Sequence, residues 1–391
     1  MATSAKAAQL LPLCIVAAVC AAGCTGGTKD DGARDLEKGR AAMSAGDFQA
    51  AATAFQACAD KNPTNLEARI LLSVASVETG DPRTAEEAAR AAVEIDPSSA
   101  EARLAEGNAA YLAKDYKRSI EAFSAVASAK TLPAPMRSQA FSSRAIPEFA
   151  DGQTDAARIS LMRALRTDFR NAAAWYHLGV LSRGTLHFAA AAKDQFEMAC
   201  RLDPGSPRTK EALRTVIPSL RDSLARTAAD KPGAEKRNPG QAAKLLAEGI
   251  AAKRKKDLKT AADRFAKAHA ADPLSWEAAW NYATTLPEAE TAKKASDKSK
   301  LPAAAVVSRT LDAYRNALDA KPSSRETCIA AAKFALQNRR PAAACEFMSH
   351  ALAHFHDSKA VVSLYADALE RLGTSDGARR AALYRAYGRE L

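Results

Sequence analysis

Three histidines stand close together near the C-terminus, His350, His354 and His356, with Asp357 beside them. On a helix, an i, i+4 pair turns two imidazoles to one side, where a zinc or copper ion could be held. Neither a catalytic Glu between them nor an obvious remote ligand accompanies them, so they read as a polar helix end and not as a metal centre. No phosphate-cradling glycine loop, nucleophile elbow or metalloprotease signature occurs in the sequence. Carboxylates are plentiful but scattered over positions that face solvent in a helical reading, and no pair can be nominated as acid and base. The chain therefore reads as a non-enzyme that needs no cofactor, holds no metal and turns over no small-molecule substrate.

Seven cysteines add little chemistry. Cys14, Cys20 and Cys24 lie in or beside an apolar leader, whereas Cys58, Cys200, Cys328 and Cys345 are far apart and lack metal-finger spacing. The last four read as small buried hydrophobes. The formal charge is +11, and removal of a leader whose only charge is Lys6 leaves +10. The runs Lys253-Arg254-Lys255-Lys256 and Lys293-Lys294 carry no interleaved aromatics on which bases could stack. They read as solvated helix faces, with anionic lipid or an acidic protein as the alternative partner and nucleic acid excluded.

The elements that would position any site are helical. Ala dominates, aromatics are 6%, and β-branched runs are scarce beyond the N-terminus, which favours helices that approach closely. A 34-residue period runs through the first third of the chain. Gly46-Asp47-Phe48 returns as Gly80-Asp81-Pro82 and as Lys114-Asp115-Tyr116. Phe55, Ala89 and Phe123 keep the same interval, as do Ala51, Ala85 and Ser119, and Pro63 with Pro97. Such a period means stacked helical hairpins, because one hairpin cannot cover its own apolar face.

The frame resembles the tetratricopeptide repeat, with small residues at positions 8, 20 and 27, a bulky residue at 24 and Pro at 32. Residues 32–65 place Gly39, Ala51, Cys58, Phe55 and Pro63 there, and residues 172–206 place Gly179, Phe196, Ala199 and Pro204. Residues 242–275 supply Gly249, Ala261, Phe265, Ala268 and Pro273. The expected fold is all-α, a tetratricopeptide-like helix-hairpin solenoid of about nine repeats in two arrays. The first array with its closing helix occupies 32–227, a Pro/Gly-rich linker 228–240, and the second array 241–391, with weakly patterned units at 325–358 and 359–391. Pro147 is expected to kink or shorten its helix, and the insertion at 287–302 to form an exposed loop.

At the N-terminus an apolar run from Leu10 to Ala22 leads into Gly23-Cys24-Thr25. The run is short for a membrane span and suits a secretory signal over residues 1–23, followed by a flexible polar tether over 24–34. The small residues before Cys24 resemble the lipobox of bacterial lipoproteins, although Ala21 stands where Leu is usual. The resemblance implies a lipid on Cys24, export, and an outer-membrane protein facing the periplasm. Ordinary cleavage near the same residues, giving a soluble exported protein, is the alternative.

The repeat resemblance also implies where a partner would sit. In that family helix A of each hairpin lines a concave face, chiefly through positions 2, 5, 9 and 12. In the first array, positions 5 and 12 include Leu36, Met43, Ile70, Val77, Leu104, Tyr111, Phe149 and Tyr176. This apolar stripe suits a peptide or amphipathic helix of another protein, unless tight curvature buries it between neighbouring repeats. A carboxylate clamp is not supported, because Leu36 and Arg40 replace the required Lys and Asn and only Asn108 fits. The expected function is a lipid-anchored scaffold for other proteins in the bacterial envelope. The alternative is a soluble exported binder of anionic envelope components through the basic surface.

Overall fold

Small residues decide where the helices cross. In the computed structural model, which describes residues 32–184, 189–217, 237–292 and 303–391, every element is an α-helix among the described residues. The first five hairpins are α1 (Ala33–Ser44) with α2 (Phe48–Lys61), α3 (Leu66–Thr79) with α4 (Pro82–Ile95), α5 (Ala100–Leu112) with α6 (Tyr116–Ser128), α7 (Ala134–Ala150) with α8 (Thr154–Thr167), and α9 (Ala172–Gly184) with α10 (Ala189–Leu202). Residues 207–217 form α11. Four further hairpins pair α12 (Pro239–Arg254) with α13 (Leu258–Ala271), α14 (Trp276–Ala292) with α15 (Ala304–Ala320), α16 (Arg325–Gln337) with α17 (Pro341–His354), and α18 (Lys359–Glu370) with α19 (Ser375–Glu390).

Within four hairpins a glycine of the first helix lies directly under a phenylalanine of the second. A Cβ added to Gly39, Gly107, Gly179 or Gly249 would come within 2.4, 2.6, 2.6 and 2.5 Å of the rings of Phe55, Phe123, Phe196 and Phe265 respectively. Those distances are far inside van der Waals contact, so the bare backbone is what admits the ring. All four rings are almost fully buried, each contributing about 2 kcal/mol of transfer free energy. Where serine replaces a small apolar residue at a crossing, its hydroxyl finds backbone. Ser73 Oγ donates to Ala85 O at 2.9 Å, and Ser119 Oγ donates to Gly107 O at 2.7 Å.

The turns repeat as faithfully as the crossings. Asp47, Asp81, Asp115 and Asp257 each accept from a backbone N–H three residues on, capping a second helix. Just before them the chain passes through the left-handed region, at Gly46, Gly80, Lys114 and Lys256, and again at Gly152, Arg339 and Gly373. There a return bond such as Asp47 N→Ala42 O (2.9 Å) or Asp257 N→Ala252 O (3.0 Å) closes the first helix.

Contacts divide the chain into two compact units, with the boundary between His177 and Leu178, inside α9. The expected linker falls elsewhere, at 228–240, and most of it lies outside the described residues, as do residues 1–31 with the leader, Cys24 and most of the tether. In unit 1 the core runs continuously from Met43 and Phe55 through Ile70, Leu71, Leu104 and Phe123 to Ile146. Arg118 of α6 bridges Glu86 of α4 and Glu106 of α5, both at 3.1 Å. In unit 2 the larger residues are aromatic. Trp276 and Trp280 stack at 5.8 Å, Tyr314 meets Phe347 edge-on at 6.5 Å, and Tyr365 meets Tyr384 edge-on at 4.7 Å. Also in unit 2, Gln195 of α10 is buried and donates to Ala353 O of α17 at 2.8 Å, across 158 positions of sequence.

Two local expectations are corrected. Pro147 does not shorten its helix: α7 continues to Ala150, and Pro147 sits in its last turn, where its carbonyl accepts from Asp151 N at 2.9 Å. Only the one bond that residue 147 would donate is lost, and the helix ends within a turn, so little helix has to bend around the ring. The 287–292 portion of the expected loop is helical, because α14 runs through Pro287 to Ala292. Leu286 and Ala289, three residues apart, are both buried along that stretch, and this shared apolar face carries the helix past the proline.

Gly107→Ala should lower the urea denaturation midpoint, at a cost of about 2 kcal/mol, and Phe123→Leu in the same chain should recover part of it. Lys256→Gly should raise the midpoint, through a gain in stability of up to about 1 kcal/mol, since it removes a side chain from the left-handed region.

Candidate protein-binding surface

The stripe read from positions 5 and 12 is mostly interior. Met43, Ile70, Val77, Leu104 and Tyr111 are all buried members of the unit 1 core. Leu36 and Tyr176 are half-buried, and Phe149 is 45% exposed at the end of α7. The physical reason is that neighbouring helices cover them, α3 packing directly against α5 as well as against α2 and α4. The side chains expected to face a ligand are thereby spent on the neighbouring repeat. Asn108, the single residue matching a carboxylate clamp, is buried as well.

One groove of unit 1 is built differently. A groove of about 560 Å³ runs between α2 and the α3–α4 hairpin. Its walls are Gln49, Thr53, Gln56 and Asp60 of α2 facing Ser76, Thr79, Asp81 and Thr84, over a floor of Ala52, Ala57 and Leu72. The helix positions follow from the frame: residues 49, 53, 56 and 60 share the face of α2 turned away from Phe55. Some polar groups are already engaged. Gln56 Nε2 donates to Asp60 at 2.7 Å, and Thr84 Oγ1 donates to Asp81 at 2.7 Å. That bond holds the Asp81 carboxyl below its usual range, so the groove carries negative charge at neutral pH. No sequence signal marked these residues, because a polar helix face looks the same whether it lines a groove or meets bulk water.

A second arrangement escaped the sequence reading. Glu148 of α7 is buried, and burial raises its carboxyl against the opposing pull of Arg144 and a bond from Ser160 Oγ. Arg144 reaches both, at 3.2 Å to Glu148 and 2.9 Å to Ser160 Oγ. The i, i+4 spacing of Arg144 and Glu148 is visible in the sequence, but their burial depends on α8. These groups are committed to one another and act as a polar tie between helices.

The late histidines are half-buried. His350 Nε2 lies 2.7 Å from Pro322 O, and its ring centroid is 5.3 Å from that of His354. Burial lowers the pKa of His350 and His356, and burial together with His350 pushes His354 down to about 4. The carboxylates of Asp319 and Glu346 oppose the shift at His350, and Asp357 opposes it at His356. Among the described residues no three His, Cys, Asp or Glu side chains are grouped to hold an ion. The described cysteines are free thiols, and burial pushes Cys328 up to about 12, which keeps it protonated and unreactive at neutral pH. The basic run Lys253–Lys256 closes the α12–α13 turn, exposed except for the half-buried Lys253. No described helix is long and apolar enough to cross a membrane.

Antiparallel hairpins in series, with a glycine–phenylalanine crossing repeated in four of them, define a helical-hairpin repeat protein. Residues 42–88 match one family model of the tetratricopeptide repeat, and residues 75–132 and 144–207 match another. Solved structures to which the chain is similar include a thermophilic tetratricopeptide repeat protein of Thermus thermophilus, 17% identical, with a TM-score of 0.43 over 48% of this chain and 98% of that one. Pseudomonas aeruginosa pilF is 15% identical, with a TM-score of 0.39 over 68% of this chain and 98% of its own. The type IV pilus biogenesis factor PilW is 17% identical, with a TM-score of 0.40 over 64% and 98%. Likeness at this level says nothing about what the chain binds. No curated protein matches it.

The neutral histidines make stability depend on pH with a definite sign. A histidine whose pKa is lowered by folding takes up protons more readily when unfolded, so stability is full above about 6.5. It should fall as the pH drops from there towards 4, by on the order of 2 kcal/mol once partial solvent access is allowed for. Thermal melting at pH 7 and pH 4.5 should show the loss, and His354→Phe should reduce it.

Proposed function

We propose that this chain is a scaffold that binds other proteins in a bacterial cell envelope, held there by a lipid on Cys24 and without catalytic activity of its own. The observation that carries the binding role is the open groove between α2 and the α3–α4 hairpin, set on a rigid stack of tetratricopeptide repeats. Its Gln and Thr side chains can hydrogen-bond an extended backbone, and Ala52, Ala57 and Leu72 offer a shallow apolar floor. Asp60 and Asp81 favour a segment with a basic residue. The partner is therefore an extended peptide stretch of another protein, and the buried apolar stripe supports the groove from beneath. Support for the envelope setting comes from the apolar run ending at Gly23-Cys24, and from the strength of acyl anchoring at about 0.8 kcal/mol per buried CH₂.

A photo-crosslinking residue at Thr53 or Gln56 in living cells should give a discrete adduct with one protein. The same residue at the exposed Lys117 should not. Thr53→Arg with Gln56→Arg should weaken capture of that protein at least ~10-fold without moving the melting temperature. Adducts equally abundant from Lys117 would remove the groove from consideration. The anchor is tested separately by acyl labelling, which Cys24→Ala should abolish.

A further inference from the structure

The turn between α12 and α13 in unit 2 carries Lys253, Arg254, Lys255, Lys256 and Lys259, with Asp257 as the one acid among them. Asp257 is already engaged, since its carboxylate accepts from Thr260 N at 3.1 Å and starts α13. None of the five cations makes an ion pair among the described residues. Further along α13 the two cations are paired, Arg264 with Glu248 at 3.4 Å and Lys267 with Asp263 at 2.8 Å. Unpaired positive charge is thus densest at the tip of the hairpin.

Backbone conformation marks the same turn, as it also marks the α5–α6 turn, where Lys114 lies at φ 64°. Lys256 sits at φ 61° in the turn position that Gly46, Gly80, Gly152 and Gly373 occupy elsewhere in this chain. Glycine adopts that conformation freely, whereas a lysine there is strained. A long cationic side chain thus stands where the backbone favours glycine. The matching turn between α16 and α17 does the same with Arg339 at φ 56°, followed by Arg340. Ile250 is 37% exposed, and it lies three and four residues before Lys253 and Arg254, on the same side of α12.

We infer that the α12–α13 turn is a membrane-contact site that docks on a bilayer rich in anionic phospholipid. A hairpin tip is convex and meets a plane better than it grips a peptide. Lipid phosphates complement the unpaired cations, and Ile250 enters the boundary between headgroups and chains. Single-stranded nucleic acid would call for exposed aromatics beside the cations, and residues 246–262 contain none. The contact does not require acylation of Cys24.

The test is vesicle co-sedimentation of the full chain carrying Cys24→Ala, so that no acyl group contributes. Vesicles of phosphatidylcholine with about a third phosphatidylglycerol are compared with phosphatidylcholine alone, because an apolar leader adds equally to both. The chain should partition at least ~10-fold more strongly onto the anionic vesicles, and the preference should shrink as salt rises. Replacing Lys253, Arg254, Lys255 and Lys259 by Gln and Lys256 by Asn should abolish the preference with an unchanged melting temperature. Arginine at the four lysines should retain it. A neutralised variant that still prefers anionic vesicles overturns the inference, as does a parent chain with no preference. Binding to heparin or DNA without binding to anionic vesicles also overturns it, since the partner is then a soluble polyanion.

Discussion

The fold depends on how closely a bare helix backbone lets an aromatic ring approach. At Gly39, Gly107, Gly179 and Gly249 the first helix of a hairpin has no side chain, and the phenylalanine of the second helix fills the gap. This contact sets the crossing distance within the hairpin, and the crossing sets the pitch at which the next hairpin is laid down. Because ring and glycine stand 16 or 17 residues apart in each of these four hairpins, the four crossings share one shape. Specificity here is steric, and it tolerates wide variation of the polar residues around it.

Polar groups then decide which way each hairpin turns. Aspartates at the starts of second helices satisfy amides that would otherwise be orphaned. Serines at crossings return their hydroxyls to backbone carbonyls, and Arg118 holds three helices of unit 1 through two carboxylates. These bonds are individually modest, but they remove alternatives, so the first helices stack on one another. That stacking is what closes most of the apolar stripe, while a polar groove lies between α2 and the α3–α4 hairpin.

Much of this was legible in the residues. The Gly–Phe interval, the aspartates before four of the second helices and the closing prolines are local signals that marked out most of the hairpins, and the last two were read from weaker patterning. What was not legible depends on neighbours distant in sequence. Leu104 and Ile70 look alike whether a ligand or the next helix covers them, because apolarity does not say what does the covering. Pro147 and Pro287 signal a break locally, yet each helix persists: one proline lies in a last turn, the other on a helix whose buried face outlasts it. Glu148 and the groove residues were invisible for the opposite reason, since polarity normally means solvent.

The bond from Gln195 to Ala353 alters the kinetic character of unit 2. A stack held by adjacent repeats has low contact order, can nucleate anywhere and can grow or lose members with little effect on the remainder. Joining α10 to α17 closes a loop of more than a hundred residues, and the entropy of that closure is charged before the contact forms. The hairpins between those helices are therefore bound into one cooperative circuit. Inserting or deleting a repeat there would strain the closure, whereas the same change in unit 1 would only lengthen or shorten a stack.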